Sequence, residues 1–323
     1  MVSISSKPVF ALICLLVACV FSQAAAEEVR LRPFVYAGTQ TGTLDDVVTA
    51  VRDKLRKGGF TVVGGYAPDA DGHVLVVTNR RLRAPVQKTP RAAYGAVVRV
   101  GLSKVDQGVQ VVYTNPVYFQ HAYRIDADFS PVLERLGRIL GAEKTFGSKA
   151  GLTPQQLRRY HYAVGMEYFD DPYELGEFPS HQAALAALEA GLQAQRSGVR
   201  KVYRLDLGPN VTLYGVSLRG GAPKERYRDE RFHMKVVDTG DLKRIAYLPY
   251  EILVDGNRVE ALHMRFRMAV HFPDTNMVGR NSFMKLRKAP RAVGTALMEV
   301  VGAPKPKREG RGGGLLDYSD DEF

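Results

Sequence analysis

The chain has 323 residues, and its 45 lysines and arginines exceed its 34 aspartates and glutamates to give a formal charge of +11. That length can bury one or two ordinary cores. Both cysteines, Cys14 and Cys19, lie in the N-terminal apolar run. A chain that loses this run has no thiol, which excludes disulfides, thiolate catalysis, cysteine-ligated metal and attached c-type haem.

Residues 1–26 read as a secretory signal peptide: Lys7 in the head, an apolar run from Val9 to Phe21, then small residues at Ala24-Ala25-Ala26. A rival reading takes Leu16-Val17-Ala18-Cys19 as a lipobox that tethers the protein through a lipidated Cys19. Either way the protein is expected outside the cytoplasm, in the periplasm. No later segment is long and apolar enough to span a bilayer. In that compartment the excess positive charge suits small anions, anionic surfaces or acidic proteins better than nucleic acid.

Elements follow in order. Leu31–Tyr36 reads as a strand. Thr43 then caps an amphipathic helix with Leu44, Val47, Val48, Val51 and Leu55 on one face, stopped at Gly58-Gly59. Strand-like runs are expected at Phe60–Val63, His73–Thr78, Tyr94–Val100 and Val109–Tyr113, and a helix from Ser130-Pro131 to Gly141 closes the unit. This gives a first module over 30–142. A connecting segment, 143–178, carries a capping-box signal at Thr153-Pro154-Gln155-Gln156. A second module, 179–303, repeats the scheme. Ser180 caps a helix, and runs follow at Val202–Leu207, Thr212–Leu218, His233–Val237, Ile245–Val254 and Glu260–Phe272. The hairpin signal Asp255-Gly256-Asn257 separates the last two, and a helix spans about Pro290 to Val301. The fold expected is α+β: two tandem modules, each an antiparallel sheet with helices on one face. Residues 304–323 read as a basic, glycine-rich linker and an acidic tail.

Leu44–Phe60 (LDDVVTAVRDKLRKGGF) and Tyr113-Thr114-Asn115-Pro116 resemble a domain-of-unknown-function 302 module. Leu248-Pro249-Tyr250-Glu251-Ile252, Arg265-Phe266-Arg267 and Phe272-Pro273-Asp274 resemble a divergent second copy. Together the two cover most of 30–302. The resemblance implies a TATA-binding-protein-like β-α-β4-α fold, without implying DNA binding. It also implies that the modules pair as a pseudo-dimer. It transfers no activity.

The richest stretch is His263 to Phe272. Read as a strand, it places His263, Arg265, Arg267 and His271 on one face, with Met264, Phe266 and Met268 on the core face. Guanidinium forks on such a stripe suit carboxylate, sulfate or phosphate oxygens, and Glu251 on the neighbouring strand is positioned to orient one of them. Three readings follow. The leading one is a non-enzymatic binding protein that captures a small anion or docks an acidic partner through this basic face, with no cofactor. A second is an enzyme acting on a small anionic substrate between the modules. A third is a copper carrier using His233-Met234 and His263-Met264, although adjacent strand residues face opposite ways. No catalytic motif is present. Arg80, Arg81, Arg83, Lys88 and Arg91 form a basic loop.

Overall fold

A computed structural model of the chain describes residues 28–302. The signal peptide and the acidic tail read from sequence lie outside the described residues. No helix among the described residues is long and apolar enough to cross a membrane.

The first module runs β1 (Phe34–Gln40), α1 (Leu44–Lys57), β2 (Thr61–Asp69), β3 (Gly72–Thr78), α2 (Arg80–Arg83), β4 (Val98–Val105), β5 (Gly108–Thr114), α3 (Pro116–Ala122), α4 (Ser130–Leu140) and β6 (Lys144–Phe146). A short α5 (Pro154–Arg158) follows. The second module runs β7 (Tyr173–Glu177), α6 (His181–Gln193), β8 (Val199–Gly208), β9 (Val211–Leu218), α7 (Glu230–Val237), β10 (Tyr250–Asp255), β11 (Arg258–Ala261), α8 (Met264–His271) and α9 (Ala289–Val301). The strand orders are β2-β3-β4-β5-β1-β6 and β7-β11-β10-β9-β8, and all the pairings are antiparallel. Apart from β6, the two sheets are one topology written twice: β2 to β5 match β8 to β11, and β1 matches β7.

Local chemistry explains the elements. Thr43 accepts a hydrogen bond from the Asp46 amide and starts α1, whose Val47, Val48, Val51 and Leu55 are buried. Thr153 and Gln156 complete a reciprocal capping box on α5. In β3 the run Val74 to Val77 is wholly buried, because helices cover one face of the sheet and the other module covers the opposite face. Each such side chain contributes roughly 1.5–3 kcal/mol of apolar burial.

The structure corrects several expected elements, among them the runs Tyr94–Val100 and Ile245–Val254, which open in 3₁₀ turns before their strands begin. Glu260–Phe272 is not one strand: β11 ends at Ala261 and α8 begins at Met264, with His263 accepting the Arg265 amide as its cap. Residues of α8 are buried nearly all round, so an alternating pattern and a helical one both fit the sequence. His233–Val237 belongs to α7, whose N-cap Asp229 accepts from the Arg231 amide. The strand that matches β1, Tyr173–Glu177, lies in the stretch read as a connection, and so the second sheet begins before residue 179.

The modules meet through the faces their own helices leave open. The 3₁₀ turn Ile245–Tyr247, just before β10, packs on β3, β4 and β5, where Gly72 and Gly101 make room for Ile245 and Ala246. The corresponding turn before β4, Ala92–Gly95, packs on β9 and β10 of the second module. Edge strands β2 and β8 come together at Gly64 and Tyr203, where a Cβ on Gly64 would sit 2.7 Å from that of Tyr203.

Register shows what lies at the centre of this seam. The β2–β3 hairpin closes at the Asp69–Gly72 pair and the β8–β9 hairpin at Gly208–Val211. Counted from these pairs, Arg99, opposite Val76, and Glu251, opposite Gly215, hold the same rung of matching strands. Gly64 and Tyr203 do as well. A pseudo-twofold axis therefore runs through the seam, and each of these pairs faces its counterpart across it.

Candidate functional site

At the axis, Arg99 Nη1 donates to Glu251 Oε1 at 2.5 Å, and Arg267 Nε donates to Glu251 Oε2 at 3.3 Å. Arg267 Nη2 also donates to the Tyr247 and Pro249 carbonyls at 2.6 and 2.5 Å. His271, one helical turn beyond Arg267, bonds the Arg267 carbonyl through Nδ1 at 2.7 Å and meets Arg99 Nη2 through Nε2 at 2.9 Å. A guanidinium only donates, so His271 Nε2 is the acceptor and Nδ1 carries the proton. Burial, then Arg99 and Arg267, hold its pKa well below the ordinary histidine value, and the ring is neutral. All four residues are at most 3% exposed. The guanidinium of Arg267 lies 4.2 and 4.5 Å from the ring centroids of Tyr247 and Tyr250.

Two residues expected on the basic stripe, Arg267 and His271, thus converge with their expected partner Glu251, but in a closed core and not on an open sheet face. Removing Arg267 would leave one Glu251 oxygen and two carbonyls without this donor. Arg99 completes the cluster and is absent from the sequence reading; its signal was a lone charge in the apolar run Ala92–Leu102.

His263 and Arg265 stand apart at the other end of α8. Arg265 Nη1 donates to Glu167 Oε1 at 3.0 Å, and His263 Nδ1 lies 3.2 Å from Glu167 Oε2. Because Nδ1 already accepts the Arg265 amide, His263 is uncharged there and this contact is not an ion pair. Burial, then Arg265, push its pKa down to about 3. His233, on α7, pairs with the Tyr227 carbonyl, and Met264 is core. No group of three or more His, Cys, Asp or Glu among the described residues is arranged to hold a metal. From the basic loop, Arg91 crosses the seam to grip both oxygens of Glu260 at 2.8 and 3.0 Å.

An open basic site does exist, elsewhere on the seam. A cleft of about 560 Å³ is lined by Ala67, Pro68 and Asp69 at the end of β2 and by Arg200, Arg219, Gly220, Arg228 and Arg231, among others, in the second module. Arg219 reaches across to the carbonyls of Pro68 at 2.5 Å and Ala67 at 3.2 Å. Arg228 pairs with Glu225 and Arg231 with Asp229. Arg200 is held in β8 by its backbone pairing with Ser217, and its side chain makes no hydrogen bond or ion pair with another described residue. Arg200 lies at the start of β8, Arg219 just past β9, Arg228 at the end of a 3₁₀ turn and Arg231 in the first turn of α7, and no spacing in the sequence marks them.

Glu230, the first residue of α7, is buried close to this cleft. Its Oε2 accepts the Leu218 amide at 3.1 Å, and Arg219 Nη2 is 3.9 Å from Oε1, which has no hydrogen-bond partner. Tyr66 Oη, from the first module, is buried beside Glu230 without an ordinary hydrogen bond; burial, then the Glu230 charge and a weak hydrogen bond to it, raise its pKa. Burial pushes the Glu230 carboxyl up to about 7. A carboxyl whose folded pKa is raised favours folding in its protonated form. That stability is full below the unfolded value near 4.5 and is lost as pH rises to about 7. Glu230→Gln should therefore stabilise the protein at pH 8 by up to roughly 3 kcal/mol and flatten the pH 4.5–7 slope. Urea melts across that range would show it, and an unchanged slope would rule out Glu230 as its source.

No family model matches the chain, and neither a curated protein nor a solved structure matches it.

Proposed function

We propose that this is an exported, non-enzymatic binding protein that captures a small polyoxyanion in the arginine-lined cleft at the module seam. The observation that carries the reading is Arg200: an unpaired guanidinium beside three others in an open cleft whose lining residues include a single carboxylate, Asp69. Guanidinium donors match phosphate, sulfate and carboxylate oxygens in pairs, and the Gly220-Gly221 backbone lets such a group come close. The chain's excess of positive charge would draw anions toward it. The doubled β-α-β4-α order supports the resemblance to the domain-of-unknown-function 302 family, and the N-terminal pattern supports export to the periplasm.

Titration calorimetry with inorganic phosphate, and separately with citrate, tests the reading. Binding should weaken about 10- to 100-fold in Arg200→Ala, the size of one lost charge-assisted contact. Because the exposed Arg200 side chain makes no hydrogen bond or ion pair with a described residue, stability should change little. No heat with either anion, or equal affinity in the variant, would reject the cleft as the site.

One observation favours a second reading, an enzyme working on an anionic substrate in the same place. Glu230, with a pKa near neutrality and a free oxygen, has the character of a proton-transfer group. Turnover of phosphate esters that disappears in Glu230→Gln while binding persists would establish it.

A further inference from the structure

The cluster on the pseudo-twofold axis does not balance its charge. Arg99 and Arg267 are both cations, His271 is neutral, and Glu251 is the one carboxylate in contact with either guanidinium among the described residues. The tyrosines cannot supply the missing negative charge. Burial first, and Glu251 next, raise the Tyr203 hydroxyl well above its ordinary pKa, and Tyr123 is raised to about 12. One positive charge is left in a core where an uncompensated ion costs several kcal/mol.

The same place collects unused hydrogen-bond donors. Arg99 Nε and Arg267 Nη1 are buried with no partner, and so are the hydroxyls of Tyr123, Tyr203 and Tyr247. Buried polar groups almost always find partners, so five orphans around one ion cluster call for an occupant. Tyr203 enters from β8 over Gly215, the residue opposite Glu251, and its hydroxyl interacts electrostatically with Glu251, Arg99, Arg267 and Tyr123. The Tyr123 hydroxyl also leans toward Arg99 and the Tyr247 hydroxyl toward Arg267, in each case near enough for a weak hydrogen bond but not for an ordinary one. The rings of Tyr247 and Phe119 pack on His271 and wall the centre off.

We propose that the centre of the seam holds a small monovalent inorganic anion of halide size, received by Arg99 Nε, Arg267 Nη1 and the surrounding tyrosine hydroxyls. Water could answer the orphaned donors, but it would leave the extra positive charge in place. A halide answers both. The closed surroundings favour a single-atom ion over the polyoxyanions suited to the arginine cleft, which is a separate, open site.

The test uses the full chain refolded and crystallised in sodium bromide. An anomalous bromine peak within hydrogen-bonding distance of Arg99 and Arg267 is the expected result. In solution, the thermal midpoint should rise with the logarithm of chloride concentration relative to gluconate at equal ionic strength, as for any ligand that binds only the folded state. Arg267→Met is expected to fold poorly, so the informative variant is Tyr123→Phe with Tyr247→Phe, which keeps both rings. It should need several-fold more chloride for the same rise. A centre without an anomalous peak, filled by water alone, would overturn the proposal. So would midpoints that match in chloride and gluconate.

Discussion

Replacing Glu251 by alanine should cost about 3–5 kcal/mol of folding stability, the range for leaving buried charges without their partner. The carboxylate sits between Arg99 and Arg267, 2% exposed, with one oxygen on each guanidinium. Without it both cations remain in a core from which water is excluded. The cut should fall on the seam first, because Arg99 belongs to the first module and Glu251 and Arg267 to the second. Urea denaturation followed by tyrosine fluorescence would read the loss directly. A drop below about 1 kcal/mol would mean that the arginines reach solvent and that the cluster is not closed.

Gly191→Ala is the second large effect. Glycine inside a helix costs about 1 kcal/mol against alanine, so its place in the last turn of α6 calls for a packing reason. A Cβ there would lie 1.7 Å from the Val300 carbonyl oxygen of α9, an impossible approach to backbone. The two helices must part, at a cost of roughly 1–3 kcal/mol or more. The expected result is a lowered thermal midpoint with little change in the arginine cleft. A stabilised variant would show that α6 and α9 do not pack this closely.

How much of this was legible follows from range. The β10–β11 hairpin turn at Asp255-Gly256 was readable because turn chemistry is local. Thr43 and Thr153 gave their helix starts for the same reason. α8 was misread because burial on nearly every side erases the helical period, and α7 because the run His233–Val237 is too short to show one, so both looked like strands. That error turned a helix with Arg267 and His271 one turn apart into a flat basic stripe. It still gathered Glu251, Arg267 and His271, but it set His263 and Arg265 beside them when these two face Glu167 instead. Arg99 and the cleft arginines depend on the meeting of distant segments, which no local pattern records.

The pairs on the pseudo-twofold axis have a consequence for how the two halves recognise each other. A first module meeting its own copy would set arginine against arginine at the Arg99 rung and leave a hollow where Gly64 met glycine. Two second modules would set Glu251 against Glu251 and drive two Tyr203 side chains into one space. Each half is therefore shaped and charged for the other and against itself. The matching halves are not interchangeable: the seam works as a plug and socket, each side completed by residues of the other.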